Sequence, residues 1–269
     1  MSRHGNANQR GTFNLRTLMI AMATLVLGLH AATAGGAELR IFAVGSVAPI
    51  LRELAPEFER ATGNKLVYFA STSGATLKRI RGEPGDVGII CTPMQQELEQ
   101  SGDIVKGSAS VFAKSSAGIA VRKGTPLEVK SLDQLRAAIL GTGSIALVDP
   151  QRGSTLGTRM LTFADKLGVG DALRQKAKYY SGGLAVGEAI AKGEADFGVG
   201  FIPELMAIAN VEVIGPLPGE ADYTSLATAV ILATSKDAAA SRRFIEFLLS
   251  PRAQAIIKAK GMQGVQPGG

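Results

Sequence analysis

A chain of 269 residues with 46% hydrophobic and 19% charged content has the length for two α/β units and the composition of a globular protein with a sizeable core. Its net charge of +6 comes without any Lys/Arg run interleaved with aromatics, which argues against a nucleic-acid partner. The two histidines, His4 and His30, both precede residue 35, and Cys91 is the sole cysteine. Beyond that point the sequence therefore excludes Ser-His-Asp and Cys-His catalysis, a His-ligated metal and an intrachain disulfide.

Residues 1–34 read as a signal peptide. Arg3, Arg10 and Arg16 make a basic start, Leu18 to Leu29 is an apolar run too short for a membrane span, and Ala32-Thr33-Ala34 is a small-x-small cleavage site. No Cys follows the run, so lipoprotein processing is not expected. Removing this segment takes away three arginines and no acid, so the charge falls from +6 to +3.

Leu39 to Val44 has the character of a strand and ends at Gly45-Ser46. A helical pattern follows on Ile50, Leu51, Leu54 and Phe58, with Gly63 as its stop and Pro56 expected to kink or divide it. Leu66 to Ala70 is a second strand, ending in Ser71-Thr72-Ser73-Gly74 before a short helix with Leu77 and Ile80. Asp86 to Cys91 is a third, with Cys91 expected as a buried thiol, and Pro93 opens another helix. Val105 to Lys123 reads as extended crossover chain. Ser131 caps a helix carrying Leu132, Leu135 and Ile139, and Ile145 to Val148 is a strand.

Gly153-Ser154-Thr155 precedes a helix with Met160, Leu161, Phe163 and Leu167. Lys178 to Ser181 is a strand, Gly182-Gly183 precedes a helix stopped by Gly193, and Asp196 to Phe201 is a strand. Gly215 to Gly219 is a loop. Ala227 to Ala233 is a strand returning to the first unit, and helices follow at Ala238 to Leu249 and Arg252 to Lys260. The tail from Gln263 to Gly269 is expected to be disordered. The alternation of strand and helix implies mostly parallel sheets covered on both faces.

Four strand ends pass at once into helices through Gly, Ser or Thr: Gly45-Ser46, Thr72-Ser73-Gly74, Gly153-Ser154-Thr155 and Gly182-Gly183. Ligands of open parallel sheets bind beyond the carboxyl ends of the strands. Helix N-termini there present N–H groups that lack intrahelical acceptors, together with partial positive charge. A small anion is the natural ligand. Any one of these turns could equally be an ordinary N-cap; the weight lies in having two in each half.

The run Phe42-Ala43-Val44-Gly45-Ser46, then Leu54 to Gly63, resembles the opening of the periplasmic molybdate-binding protein family. Phe69 to Gly74 is similar to that family's second binding loop and Gly85 to Ile89 to its next strand, while Asp149-Pro150 and Gly193 to Val199 resemble its second-lobe landmarks. The resemblance covers nearly the whole chain beyond residue 34. It implies an α/β, two-lobe periplasmic-binding-protein fold, each lobe a mostly parallel sheet flanked by helices, with two crossover strands as hinge. Lobe I is expected over 35–112 plus 226–269 and lobe II over 113–225.

It also implies the periplasmic, exported solute-binding component of an ABC importer: a monomer with a permease partner, no cofactor, no nucleic-acid partner and no catalysis. Carried over by motif, Ser46 donates to an oxyanion of molybdate or tungstate type, as does Thr72 or Ser73. Gly153, Ser154 and Thr155 form the second-lobe loop, in which Ser154 and Thr155 offer main-chain N–H groups, and Gly183 is a further main-chain donor. The family's Tyr hydroxyl is replaced here by Phe201, which cannot donate.

The alternative ligand is a small organic carboxylate, for which Arg152 and Arg159 supply bidentate partners. An oxyanion predicts a small dry pocket, and a carboxylate a wider one with Arg on its wall. An effector-sensing domain, or an enzyme on the same fold, are readings of other classes. Export and the missing histidine weigh against them.

Overall fold

The structure is a computed structural model that describes residues 36–265. The proposed signal peptide and the last four residues lie outside the described residues. Ten strands form one continuous curled sheet in the order β2-β1-β3-β9-β4-β7-β5-β6, with β8 and β10 also paired to β4.

The first half has β1 (Glu38–Val44) between β2 (Lys65–Ser71) and β3 (Val87–Cys91), all parallel. Next to β3 the returning strand β9 (Thr224–Ile231) runs antiparallel. Leu39, Ile41 and Ala43 point to one face of β1 and Phe42 and Val44 to the other, and all are buried, as a strand covered on both sides requires. The first face packs on α1 (Ala48–Thr62), α9 (Ala238–Leu248) and α10 (Pro251–Ala259), where Phe58 meets Phe244 edge-on at 5.1 Å. The other face packs on α2 (Ser73–Gly82) and α3 (Thr92–Ser101).

In the second half, β5 (Ile145–Val148) lies parallel to both β6 (Ala177–Tyr180) and β7 (Phe197–Phe201). One face carries α4 (Leu132–Gly141), α5 (Thr155–Lys166) and α6 (Gly170–Lys176); the other carries α7 (Gly183–Lys192) and the short α8 (Ile202–Met206).

The two halves are joined by β4 (Ser110–Arg122). It pairs with β9 as far as Ser116, and from Ala117 onward with β7 and with β8 (Val211–Pro216). This is the two-lobe α/β fold expected from the sequence, and the span read as extended crossover chain is largely this one long strand.

Three local expectations need correction. Pro56 does not divide α1, which runs unbroken from Ala48 to Thr62. The i−4 carbonyl it leaves without an N–H belongs to Arg52, and both residues are exposed, so water supplies the missing partner. Val211–Pro216, overlapping the expected loop, is β8. The tail begins as β10 (Gln263–Gly264), antiparallel to β4. Gln254 holds it there: its side chain donates to the carbonyls of Phe112 and Leu248 and accepts the N–H of Val265.

Candidate functional site

Four chain turns converge on one cleft of about 420 Å³. Ser46 is buried in the turn Gly45–Val47 that leads into α1. Thr72 is the N-cap of α2, its hydroxyl accepting the Ala75 N–H, and Ser154 is the N-cap of α5, accepting the Gly157 N–H at 2.9 Å. Gly182 precedes α7 in extended backbone. Thr72, Ser154 and Gly182 are residue types that suit their cap positions, which is why a local reading could find them, whereas Ser46 lies within its turn and caps no helix.

Of the expected residues, Ser46, Thr72, Ser73, Ser154, Thr155, Gly183 and Phe201 line this cleft together. Gly153 does not line it. It adopts φ 74° and accepts the Gly74 N–H at 2.9 Å. A Cβ on Gly74 would stand 2.8 Å from the Gly153 Cα, so only glycine at both positions lets the two backbones meet. Beside this contact the Thr72 hydroxyl donates to the Arg152 carbonyl at 2.5 Å. The loops after β2 and β5 are thereby drawn together over the cleft, and the Thr72 proton is spent on closing it.

Phe201 packs at 5.9 Å from the Tyr223 ring, giving the cleft an aromatic wall where a hydroxyl was the family expectation. The Ser73 hydroxyl lies 3.5 Å from the Cys91 thiol, whose pKa burial pushes up. Burial likewise raises Tyr223, with the nearby Cys91 adding to the effect. Arg152 lines the cleft, and among the described residues its guanidinium has no ion pair. Arg159 lies elsewhere, in a neighbouring groove, stacked over Tyr223 at 4.9 Å and donating to the Asp222 carbonyl.

A residue that sequence reasoning did not single out also lines the cleft. Glu204, in the first turn of α8, is 5% exposed, and its Oε1 accepts the Gly183 N–H at 3.0 Å. Desolvation pushes its pKa up to about 7, against the opposing pull of the Gly183 and Leu184 N–H groups. A Cβ on Gly183 would come within 2.5 Å of the carboxylate, and one on Gly45 within 2.8 Å of Oε1. The Gly183 N–H expected to serve a ligand is thus already donating to a carboxylate of the protein itself. In the sequence, the signal was a lone acid in the apolar context Val199 to Leu205 directly after a strand end.

The site offers the N-termini of α1, α2 and α5, several hydroxyls and a guanidinium that has no ion pair among the described residues, set against the carboxylates of Glu188 and Glu204. It suits a small anion with an apolar flank. Among the described residues no group of His, Cys, Asp and Glu could hold a metal, and no helix is long and apolar enough to cross a membrane.

Comparison with known proteins agrees with this architecture. The aconitate isomerase of a Pseudomonas species is 28% identical over 261 residues, covering 94% of this chain and 96% of the relative. The molybdate-binding protein of Azotobacter vinelandii is 24% identical over 267 residues, covering 93% and 98%. A solved periplasmic molybdate-binding protein from A. vinelandii superposes with a TM-score of 0.71 at 24% identity, over 85% of this chain and 99% of that one. Residues 39–263, which include every cleft residue named above, match the profile of one protein family. By fold, cleft and sequence together, the chain belongs to the bacterial extracellular solute-binding proteins.

Proposed function

We infer that this protein is the periplasmic, exported solute-binding component of an ABC importer, and that its cleft takes a small organic carboxylate. The observation that carries the ligand assignment is Arg152, without an ion pair among the described residues, on the wall of a cleft of about 420 Å³. That volume falls within the ~300–1,000 Å³ range of small-organic-ligand sites, more room than a tetrahedral oxyanion fills. Phe201 and Glu204 support the same assignment. The first removes a hydroxyl donor, and the second takes up a main-chain donor that a buried oxyanion needs. Ser46, Ser73, Ser154 and Thr155 then meet the ligand's carboxylate oxygens, and Arg152 pairs with one carboxylate in bidentate fashion.

The lobes are 35–112 with 226–269, and 113–225. Support comes from the exchange of partners along β4 at Ser116 and Ala117 and from the start of β9 at Thr224. The protein works as a monomer, closing on its ligand by bending about these two strands and presenting the closed form to a membrane permease. An oxyanion of molybdate type is the competing ligand, supported by the molybdate-binding relatives. A second reading, in which the cleft acts on its acid, draws support from Glu204 and from the isomerase relative.

A thermal-shift series on the purified protein separates the ligands, because a ligand that binds only the folded state raises its melting temperature. The expected result is a rise with trans-aconitate, cis-aconitate or citrate and none with molybdate, tungstate, sulfate or phosphate. A rise with molybdate and tungstate alone would retire the carboxylate.

A further inference from the structure

We propose that Glu204 is an acid–base group that carries a proton between two carbons of a bound unsaturated carboxylic acid, so that the cleft moves a C=C bond. The proposal rests on the carboxylate reading above.

A receptor that only holds an anion has no use for a second carboxylate in its wall, since like charges repel and burial penalises the charge further. Glutamine would accept the Gly183 N–H equally well without either penalty. Glu204 is nevertheless built in with care. Gly45 and Gly183 leave the space for its carboxylate, and the Gly183 N–H fixes Oε1. Among the described residues it has no salt bridge, so the group is not neutralised as part of a structural ion pair. The turn Gly45–Val47 and the start of α7, against which it packs, carry no charged side chain, Ser46 being the one polar side chain on that turn, and the other charges lining the cleft are Arg152 and Glu188. A pKa near 7 suits both halves of a proton transfer at neutral pH.

The chemistry balances within the site. The Glu204 carboxylate takes a proton from the sp³ carbon next to the C=C bond. The electron pair left behind spreads over the three-carbon unit and into a conjugated carboxylate of the ligand. Charge on that carboxylate is met by Arg152 and by the N-termini of α2 and α5, the kind of fixed donors that stabilise an enolate-like state. The protonated Glu204 then returns the proton to the far carbon. One C–H bond breaks, one forms and the double bond moves by one position. Nothing is oxidised, reduced or released, and Glu204 ends as it began. The substrate class is a di- or tricarboxylic acid with a C–H flanked by a double bond and activated by a carboxylate.

The test uses the full purified protein in D2O with trans-aconitate, cis-aconitate and glutaconate as probes, followed by proton NMR, with thermal shift run in parallel. The wild-type protein should bind at least one probe and exchange its allylic hydrogens, at a rate that rises as pH passes through about 7. Glu204→Gln should keep the thermal shift and lose at least about a hundredfold in exchange rate. Glu204→Asp, a shorter carboxylate, should retain measurable exchange and guards against a Gln variant that misfolds. Binding by the wild type without exchange would overturn proton transfer and leave the carboxylate reading standing. Equal exchange in the Gln variant would overturn the role of Glu204. Absence of any thermal shift with the acids would overturn the carboxylate reading and this proposal with it.

Discussion

Replacing Glu204 by Gln has a consequence that needs no ligand. In the folded chain the Glu204 carboxyl titrates at about 7, against 4.5 in the open chain. Between those values the folded state binds more protons than the unfolded state, so the group's contribution to stability falls as pH rises. It is fully present below pH 4.5 and is lost as pH passes through about 7. The displacement of about 2.5 units corresponds to about 3 kcal/mol. Glutamine keeps the shape and can accept the Gly183 N–H, yet has nothing to ionise. Relative to the wild type, Glu204→Gln should therefore gain about 3 kcal/mol between pH 4.5 and pH 9. For a chain of this size that is about 6–12 °C in melting temperature. Thermal melts by far-UV circular dichroism at pH 5, 7 and 9 measure the difference directly, and the comparison cancels all other titrating groups. A difference between the two proteins that stays flat across this range would refute the burial argument.

Two further substitutions probe closure and framework. Gly74→Ala would push a methyl to 2.8 Å from the Gly153 Cα and break the Gly74–Gly153 hydrogen bond. Loss of that bond, worth about 1 kcal/mol, together with the steric push on the closed cleft should weaken ligand binding by about tenfold in titration calorimetry, with little change in the unliganded melt. Asp86 is buried and accepts the Arg40 and Lys236 N–H groups and the Ser235 hydroxyl at 2.9–3.1 Å, tying β1 to the chain after β9. Asp86→Ala orphans all three donors and should cost about 2–4 kcal/mol, read as a lower urea midpoint.

The elements that were legible in the sequence are those set by neighbouring residues. Ser131, Thr72 and Ser154 cap helices because a short polar side chain before an apolar period does so wherever it stands. Gly63 and Gly193 end helices in the left-handed conformation for an equally local reason. What escaped notice depends on distant partners. Val211–Pro216 is a strand because it lies along β4, yet Gly215-Pro216 has the composition of a turn. Gln263–Gly264 is ordered through the side chain of Gln254 and the same strand.

Glu204 shows the limit most sharply. An acid in the first turn of a helix is an ordinary surface feature, and only the packing of α8 against the Gly45 turn and α7 buries it. Burial raises the Glu204 carboxyl toward neutral pH, a property that no local pattern of residues encodes.

The dual membership of β4 bears on how such a protein can change over evolutionary time. Its 13 residues set the pairing register of both halves at once. Because strand side chains alternate between faces, one residue inserted between Ser116 and Ala117 would turn the side chains of β4 on one side of the insertion to the opposite face of the sheet. The halves are therefore not modules that can be shuffled between relatives by cutting through that strand. New ligand specificities have to arise in the turns at the strand ends, where Ser46, Ser73, Arg152 and Glu204 stand and where length and chemistry can vary without disturbing the ladder beneath.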